Sequence, residues 1–185
     1  APVVVDRMQL NRSSVMRAVV VNSGNANACT GDRGLEDAWS MVKTTAAALS
    51  IAEDEVLVSS TGVIGQYLPI NLILSGIQVA VEHLGGDGTS AAEAIRTTDT
   101  FSKEAAVRCM VGETRVTVGG MAKGSGMIAP NMATMLAFIT TDARITPVVL
   151  ETATRHAVER SFHRISVDGD TSTNDMVAVL ANGRA

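Results

Sequence analysis

Hydrophobic and polar residues follow each other along the chain in two patterns, one typical of strands and one typical of helices. Short runs rich in β-branched residues, bounded by glycine, asparagine or serine, predict strands at residues 17–22, 55–60, 105–110, 115–118, 135–140 and 177–180. Apolar positions that recur every three or four residues predict helices at residues 35–49, 72–84, 90–96 and 147–158. Residues 1–5 read as extended chain. Strands that alternate with helices favour the α/β (α+β) class.

The length and composition of the chain restrict its class. At 185 residues the chain is long enough to bury a core, and we interpret residues 1–185 as a single-domain fragment. The formal net charge is −4 and the lysines and arginines form no run, which argues against nucleic acid as a partner. The apolar runs are too short to cross a bilayer, so we expect no membrane insertion.

The first residues and the cysteines bear on the cellular compartment. Residues 1–9 lack the charged start and the apolar core of an export signal, so nothing in them directs secretion. Cys29 and Cys109 could pair, but a chain of this size with an apolar core has little need of a disulfide. We therefore expect two free, small, buried cysteines.

The densest group of unusual residues is the glycine-rich segment 118–136. It fails the phosphate-binding pattern Gly-x-x-x-x-Gly-Lys-Ser/Thr because Gly124 follows Lys123, and it lacks the third glycine of the dinucleotide pattern. Its glycines let the backbone approach a ligand closely, beside the single cation of Lys123. By residue type alone, Lys123 fits a solvated surface charge or the lip of a pocket, and Thr134 fits an ordinary strand residue.

Acidic and amide residues near the end of the chain imitate the start of a calcium-binding loop. Asp168, Asp170, Ser172 and Asn174 have the right spacing, but the sixth position lacks glycine and the twelfth lacks glutamate. The segment therefore predicts a turn rich in side-chain to backbone hydrogen bonds, and no metal site.

Five segments of the sequence resemble the signature segments of the ornithine acetyltransferase family and occur in that family's order. They are residues 22–31, 60–65, 97–99, 119–136 and 168–175. The most specific is Gly119-Gly-Met-Ala-Lys-Gly-Ser-Gly-Met-Ile-Ala-Pro-Asn-Met-Ala-Thr-Met-Leu136, and the resemblance extends over essentially all 185 residues. It implies a sandwich of β-sheets flanked by helices.

The resemblance implies an enzyme that cleaves its own backbone. The cut would fall between Ala133 and Thr134, giving residues 1–133 and 134–185, and Thr134 would become an amino-terminal nucleophile. The α-amine freed by the cut, with an intrinsic pKa near ~8, can take the proton from the hydroxyl of the same residue. One cut would thus create both nucleophile and base.

The same resemblance assigns four further residues to the site. Thr61 and Gly62 would form an oxyanion hole, in which each donor can contribute ~3 kcal/mol to the stability of the transition state. Thr97 and Lys123, together with Thr134, would contact substrate. Lys123 suits the carboxylate that acetylornithine and glutamate share.

The activity implied by the resemblance is transfer of acetyl from N2-acetyl-L-ornithine to L-glutamate in arginine biosynthesis, through an acetyl-Thr134 ester. The family needs no metal or organic cofactor, although some members also accept acetyl-CoA. The cleaved chains would form a cytoplasmic heterotetramer of two α and two β chains. Family members extend beyond this chain on both sides, and an acidic substrate contact and a pair near the carboxyl terminus would fall after Ala185.

Two other functions fit parts of this pattern. An aminopeptidase on the same self-cleaving scaffold would use the same nucleophile, although Lys123 in its glycine-rich setting favours the acetyltransferase. A non-catalytic binding module could retain the fold, and an intact bond between Ala133 and Thr134 in the mature protein would favour it.

Overall fold

The computed structural model of the chain describes residues 1–127 and 135–185. They form two compact units, Ala1–Asp87 and Gly88–Ala185. The single-domain interpretation stays a prediction, because compact units of this kind also occur within one domain. None of the described helices is both long and apolar enough to span a bilayer.

Unit 1 packs three helices with a two-stranded parallel sheet. Its elements are α1 (Pro2–Arg12), β1 (Ala18–Asn25), α2 (Gly31–Leu49), a short 3-10 helix (Glu53–Glu55), β2 (Val56–Val63) and α3 (Ile70–Glu82). The strands pair with Val20 opposite Val58. Apolar side chains from α1, α2, α3 and β2 form one buried core, to which α2 contributes most of its predicted apolar stripe and α3 contributes Ile77. The core includes Val5, Met41, Val42, Val56 and Ile77.

The sequence-based prediction that residues 1–5 form extended chain was wrong, because helix α1 begins at Pro2. Three consecutive valines favour a strand locally, but Pro2 suits the first turn of a helix. Burial decides the outcome: Val5, Asp6 and Gln9 are buried at helical spacing. The side chains of α1 also bond the outer edge of β2. Asp6 Oδ1 accepts the N–H of Val58 at 2.8 Å, and Gln9 Nε2 donates to the carbonyl of Val56 at 3.1 Å.

Unit 2 contains a four-stranded mixed sheet and two helices. Its elements are α4 (Gly88–Ala94), β3 (Lys103–Val111), β4 (Thr114–Lys123), β5 (Leu136–Thr141), α5 (Pro147–Arg160), a short 3-10 helix (Phe162–Arg164) and β6 (Met176–Ala181). The strand order is β3-β4-β5-β6, with β4 antiparallel to both neighbours and β6 parallel to β5. Lys123 therefore lies opposite Leu136, which lies opposite Met176. The end of β4 and the starts of β5 and β6 meet at one edge.

Strand β4 is longer than the predicted strand 115–118 because it continues through two glycines to Lys123. A Cβ atom on Gly120 would lie 2.9 Å from the carbonyl oxygen of Phe138 in β5, which is closer than packing allows. Glycine at this position thus lets β4 and β5 pair closely. The strand in turn places Lys123 in regular structure at the end of the sheet.

The predicted fold class is confirmed, since both units combine sheets with flanking helices. The prediction of free cysteines is also confirmed, but both thiols are exposed, so the prediction that they are buried was wrong. Cys29 lies in the loop before α2, with a φ of 58°. Cys109 lies on β3, whose residues are mostly exposed in the described structure.

Candidate active site

Two residues predicted for the oxyanion hole, Thr61 and Gly62, lie inside β2 rather than in a turn after it. Thr61 is buried, with 3% of its surface exposed. Gly62 has a φ of +131°, and a Cβ atom there would lie 2.2 Å from the carbonyl carbon of Gly24 on β1. The backbones of β1 and β2 meet at this pair of glycines, so only glycine fits at position 62. The chain bends at Gly65, beyond Val63.

Lys123 is fully buried, in contrast to most lysines, with 2% of its surface exposed. Its Nζ donates to Thr97 Oγ1 at 3.5 Å, a long hydrogen bond. Two predicted substrate contacts are therefore neighbours in unit 2, although 26 residues separate them in sequence. Thr97 itself is exposed, so the buried ammonium has a polar neighbour at the surface.

Asp99 is a buried neighbour of Lys123 that the sequence-based site did not include. Its Oδ1 accepts the N–H of Gly124 at 2.8 Å and a hydrogen bond from Lys103 Nζ. Burial alone would raise the pKa of Asp99, but these two hydrogen bonds and the charges of Lys103 and Lys123 bring it below its usual value. Asp99 is therefore an anion that fixes the backbone directly after Lys123.

Asp175 is a second acidic neighbour of Lys123, at the start of β6. Its Oδ1 accepts the N–H of Met135 at 2.8 Å, and Ser172 also hydrogen-bonds to its carboxyl group. Burial raises the pKa of Asp175, although the Met135 N–H, the charge of Lys123 and the Ser172 bond oppose the rise. Burial likewise lowers the pKa of Lys123, against the attraction of Asp99 and Asp175.

The predicted cleavage site, Ala133 and Thr134, lies outside the described residues. The described chain on either side of it is hydrogen-bonded to one loop, residues 168–175. On the amino-terminal side, Met127 N–H donates to Asp168 Oδ2 at 2.6 Å. On the carboxyl-terminal side, Met135 N–H donates to Asp175. The loop contains the predicted turn, since Asp170 N–H donates to Asp168 Oδ1 at 3.1 Å.

The cluster in unit 2 combines a buried ammonium, an exposed hydroxyl and two carboxylates. A buried cation with a hydroxyl beside it can bind a carboxylate ligand, and the charges of both aspartates favour its protonated form. Among residues 1–127 and 135–185, no three histidine, cysteine or acidic residues lie close enough together to hold a metal ion. The sequence analysis did not assign Asp99 and Asp175 to the site, although both lie in the signature segments 97–99 and 168–175. Each bonds a backbone N–H at a strand end, and only the pairing of the strands brings these groups near Lys123.

Comparison with known proteins identifies the family of the chain. A model of the ArgJ family matches residues 1–185. The chain belongs to the ArgJ family. It is 55% identical over 186 residues to the arginine biosynthesis bifunctional protein ArgJ of Symbiobacterium thermophilum, with 100% of this chain and 46% of that protein covered. For the protein of the same name from Bacillus licheniformis the identity is 53% over 185 residues, covering 100% and 45%. The chain thus spans about half the length of these curated relatives.

Solved structures of ArgJ family proteins resemble this one. The crystal structure of arginine biosynthesis bifunctional protein ArgJ from Bacillus halodurans gives a TM-score of 0.65 at 44% identity, covering 71% of this chain and 70% of that one. Ornithine acetyltransferase from Mycobacterium tuberculosis, complexed with ornithine, gives 0.62 at 39% identity, covering 70% and 69%. The predicted membership of the ornithine acetyltransferase family is therefore confirmed.

Proposed function

We propose that the protein containing this ArgJ chain transfers acetyl from N2-acetyl-L-ornithine to L-glutamate through an ester on Thr134. The family match over residues 1–185 supports the reaction class, and the related acetyltransferase structure contains ornithine. The observation that supports this chain's own part is the buried ammonium of Lys123 beside Thr97. Acetylornithine and glutamate both offer an α-carboxylate to such a cation.

The proposed chemistry begins with cleavage between Ala133 and Thr134, in which the Thr134 hydroxyl attacks the preceding carbonyl and water resolves the resulting ester. In the first half-reaction Thr134 Oγ attacks the acetyl carbon of acetylornithine, and the carbon–nitrogen bond breaks. The freed α-amine of Thr134 passes the hydroxyl proton to the departing ornithine amine. The amine of glutamate then attacks the ester, and Thr134 Oγ leaves and regains a proton.

Thr61 and Gly62 would stabilise the oxyanion in both half-reactions. Donors fixed within a strand lose little freedom when negative charge develops, which suits this role. The backbone contact between Gly62 and Gly24 supports the proposal, because it holds the end of β2 in a single conformation. Thr61→Ala should therefore lower kcat by about 10²-fold while KM changes little. An effect on KM alone would contradict the role.

The proposal needs no metal or organic cofactor, because the nucleophile and its base come from one residue. Whether acetyl-CoA serves as a second acetyl donor is left open, and an assay with acetyl-CoA and glutamate decides it. The active protein would be a cytoplasmic heterotetramer of two α and two β chains.

Intact-mass measurement of the full-length protein tests the proposal together with substitutions of Thr134. The wild-type protein should give two fragments whose masses place the cut before Thr134. Thr134→Ala should abolish both cleavage and transfer, because one hydroxyl serves both, whereas Thr134→Ser should retain part of each. Thr100→Ala, at an exposed position, is the matched control and should behave as wild type. A cleaved or active Thr134→Ala protein would contradict the assignment.

A further inference from the structure

Met135, the first residue of the described chain after Thr134, is held at both of its backbone polar groups. Its N–H donates to Asp175 Oδ1 at 2.8 Å, and its carbonyl accepts the N–H of Met176 at 3.0 Å. Met135 is also buried, with 8% of its surface exposed. The nitrogen of Met135 is covalently bonded to the carbonyl carbon of Thr134, so Asp175 bonds the peptide group that follows the nucleophile.

A side-chain acceptor is needed here because the sheet ladder has not yet begun. The pairing of β5 with β6 starts at Leu136 opposite Met176, so the preceding N–H of Met135 has no strand partner. A buried N–H without an acceptor is unfavourable, and the carboxyl oxygen of Asp175 supplies that acceptor. Asp175 Oδ2 is buried and has no hydrogen-bond partner among the described residues.

We propose that Asp175 is a positioning residue for the Thr134 nucleophile, an inference that rests on the proposed function. Cleavage breaks the bond on the amino side of Thr134, whereas Asp175 accepts the N–H of the peptide on its carboxyl side. That contact therefore outlasts the cut and serves both self-cleavage and acetyl transfer. Geometry of this kind matters for rate, because small displacements of a nucleophile slow attack strongly.

Three substitutions in the full-length protein test the inference. Asp175→Ala removes the acceptor and should slow both cleavage and kcat by about ten- to a hundredfold, with KM for both substrates within about twofold. Asp175→Asn keeps an oxygen acceptor without the charge and should stay within about fivefold of wild type. Asp175→Glu keeps the charge but moves the acceptor, so it should be slower than Asp175→Asn. Asp170→Asn, exposed in the same loop, is the matched control.

Comparing the rates of Asp175→Asn and Asp175→Glu shows whether Asp175 acts by positioning the backbone or by its charge. This comparison can be made even if Asp175→Ala does not fold. If Asp175→Asn were slower than Asp175→Glu, the negative charge beside Lys123 would be the important property and the inference would be wrong. Wild-type kcat and cleavage in all three variants, with only a lower melting temperature, would also overturn it. A wild-type protein that neither cleaves nor forms an acetyl ester would instead overturn the proposed function, before any variant is compared.

Discussion

Asp6 in unit 1 and Asp99 in unit 2 have nearly equal exposed fractions, but their pKa values are shifted in opposite directions. Their exposed fractions are 4% and 5%. Each Oδ1 accepts one backbone N–H at 2.8 Å, from Val58 or from Gly124, and neither Oδ2 has a hydrogen-bond partner among the described residues. Yet burial raises the pKa of Asp6 to about 7, whereas the pKa of Asp99 is lowered despite its burial.

Two properties differ between these aspartates: protein surrounds Asp6 more completely, and Asp99 has neighbouring cations. Asp99 accepts a hydrogen bond from Lys103 and lies near Lys123, whereas burial and a single backbone hydrogen bond account for the pKa of Asp6. Burial opposes ionisation of both groups, and the lysines and hydrogen bonds around Asp99 more than offset that cost. Unit 1 uses its aspartate to attach a helix to a strand. Unit 2 uses its aspartate to bond Lys103 and the backbone after Lys123, beside the candidate substrate site.

The largest expected effect is a change in the free energy of unfolding when the buried carboxyl group of Asp6 is removed. Asp6 binds its proton more tightly in the folded chain than in the unfolded chain, where its pKa is 3.8. The raised pKa therefore contributes its full amount to the free energy of unfolding below about pH 4, and this contribution is lost as the pH rises to about 7. Asp6→Asn should remove this dependence and stabilise the protein at pH 8 by up to roughly 4 kcal/mol. Urea unfolding between pH 4 and pH 8 measures the difference.

The exposed Asp32→Asn provides the control for that series, and its stability should differ from wild type by about 0.5 kcal/mol or less at every pH. If Asp6→Asn lost stability between pH 4 and pH 7 as steeply as wild type, another group would be responsible for the dependence.

The next effect concerns the buried cation of unit 2. Lys123→Met, in full-length protein that still cleaves, should reduce kcat/KM for acetylornithine and for glutamate by roughly ten- to a hundredfold each. The reason is that a hydrogen bond to a charged group contributes about 1.5–3 kcal/mol, and one cation would hold the carboxylate of both substrates. Steady-state kinetics with each substrate varied in turn provides the test. A loss confined to one substrate would refute the shared-carboxylate argument.

The smallest effect is expected at the other lysine beside Asp99. The side chain of Lys103 is 36% exposed, so solvent screens its ion pair and the pair should contribute about 1 kcal/mol or less. Lys103→Met should therefore lower stability by that amount at pH 7 and leave kcat/KM within about threefold. Thermal unfolding and kinetics on the same preparation measure both. If Lys103→Met impaired catalysis as strongly as Lys123→Met, the two lysines would form one functional unit.

Much of the fold could be predicted from the sequence because its signals are local. The apolar stripe at residues 72–84 matches α3, and the β-branched run at 55–60 matches the first part of β2. Helix α1 could not be predicted in this way, because its valines favour a strand and only the burial of Val5 against the core selects a helix. Local propensity is overridden there by tertiary packing.

The candidate site, too, could be predicted only in part from the sequence. Thr97 and Lys123 were named from sequence segments, and their contact in the structure joins two of those segments. Asp175 could not be assigned to the site, because its bond to Met135 depends on the parallel pairing of β5 with β6. A long connection separates these two strands, and no residue pattern indicates their register.

The attachment of α1 to β2 also bears on aggregation. An open strand edge presents alternating N–H and carbonyl groups to which another chain can add as an extra strand. In this protein the N–H of Val58 and the carbonyl of Val56 are already bonded to Asp6 and Gln9. Side chains of a helix thus replace the backbone of a neighbouring strand, and the sheet of unit 1 is closed to strand addition at those positions.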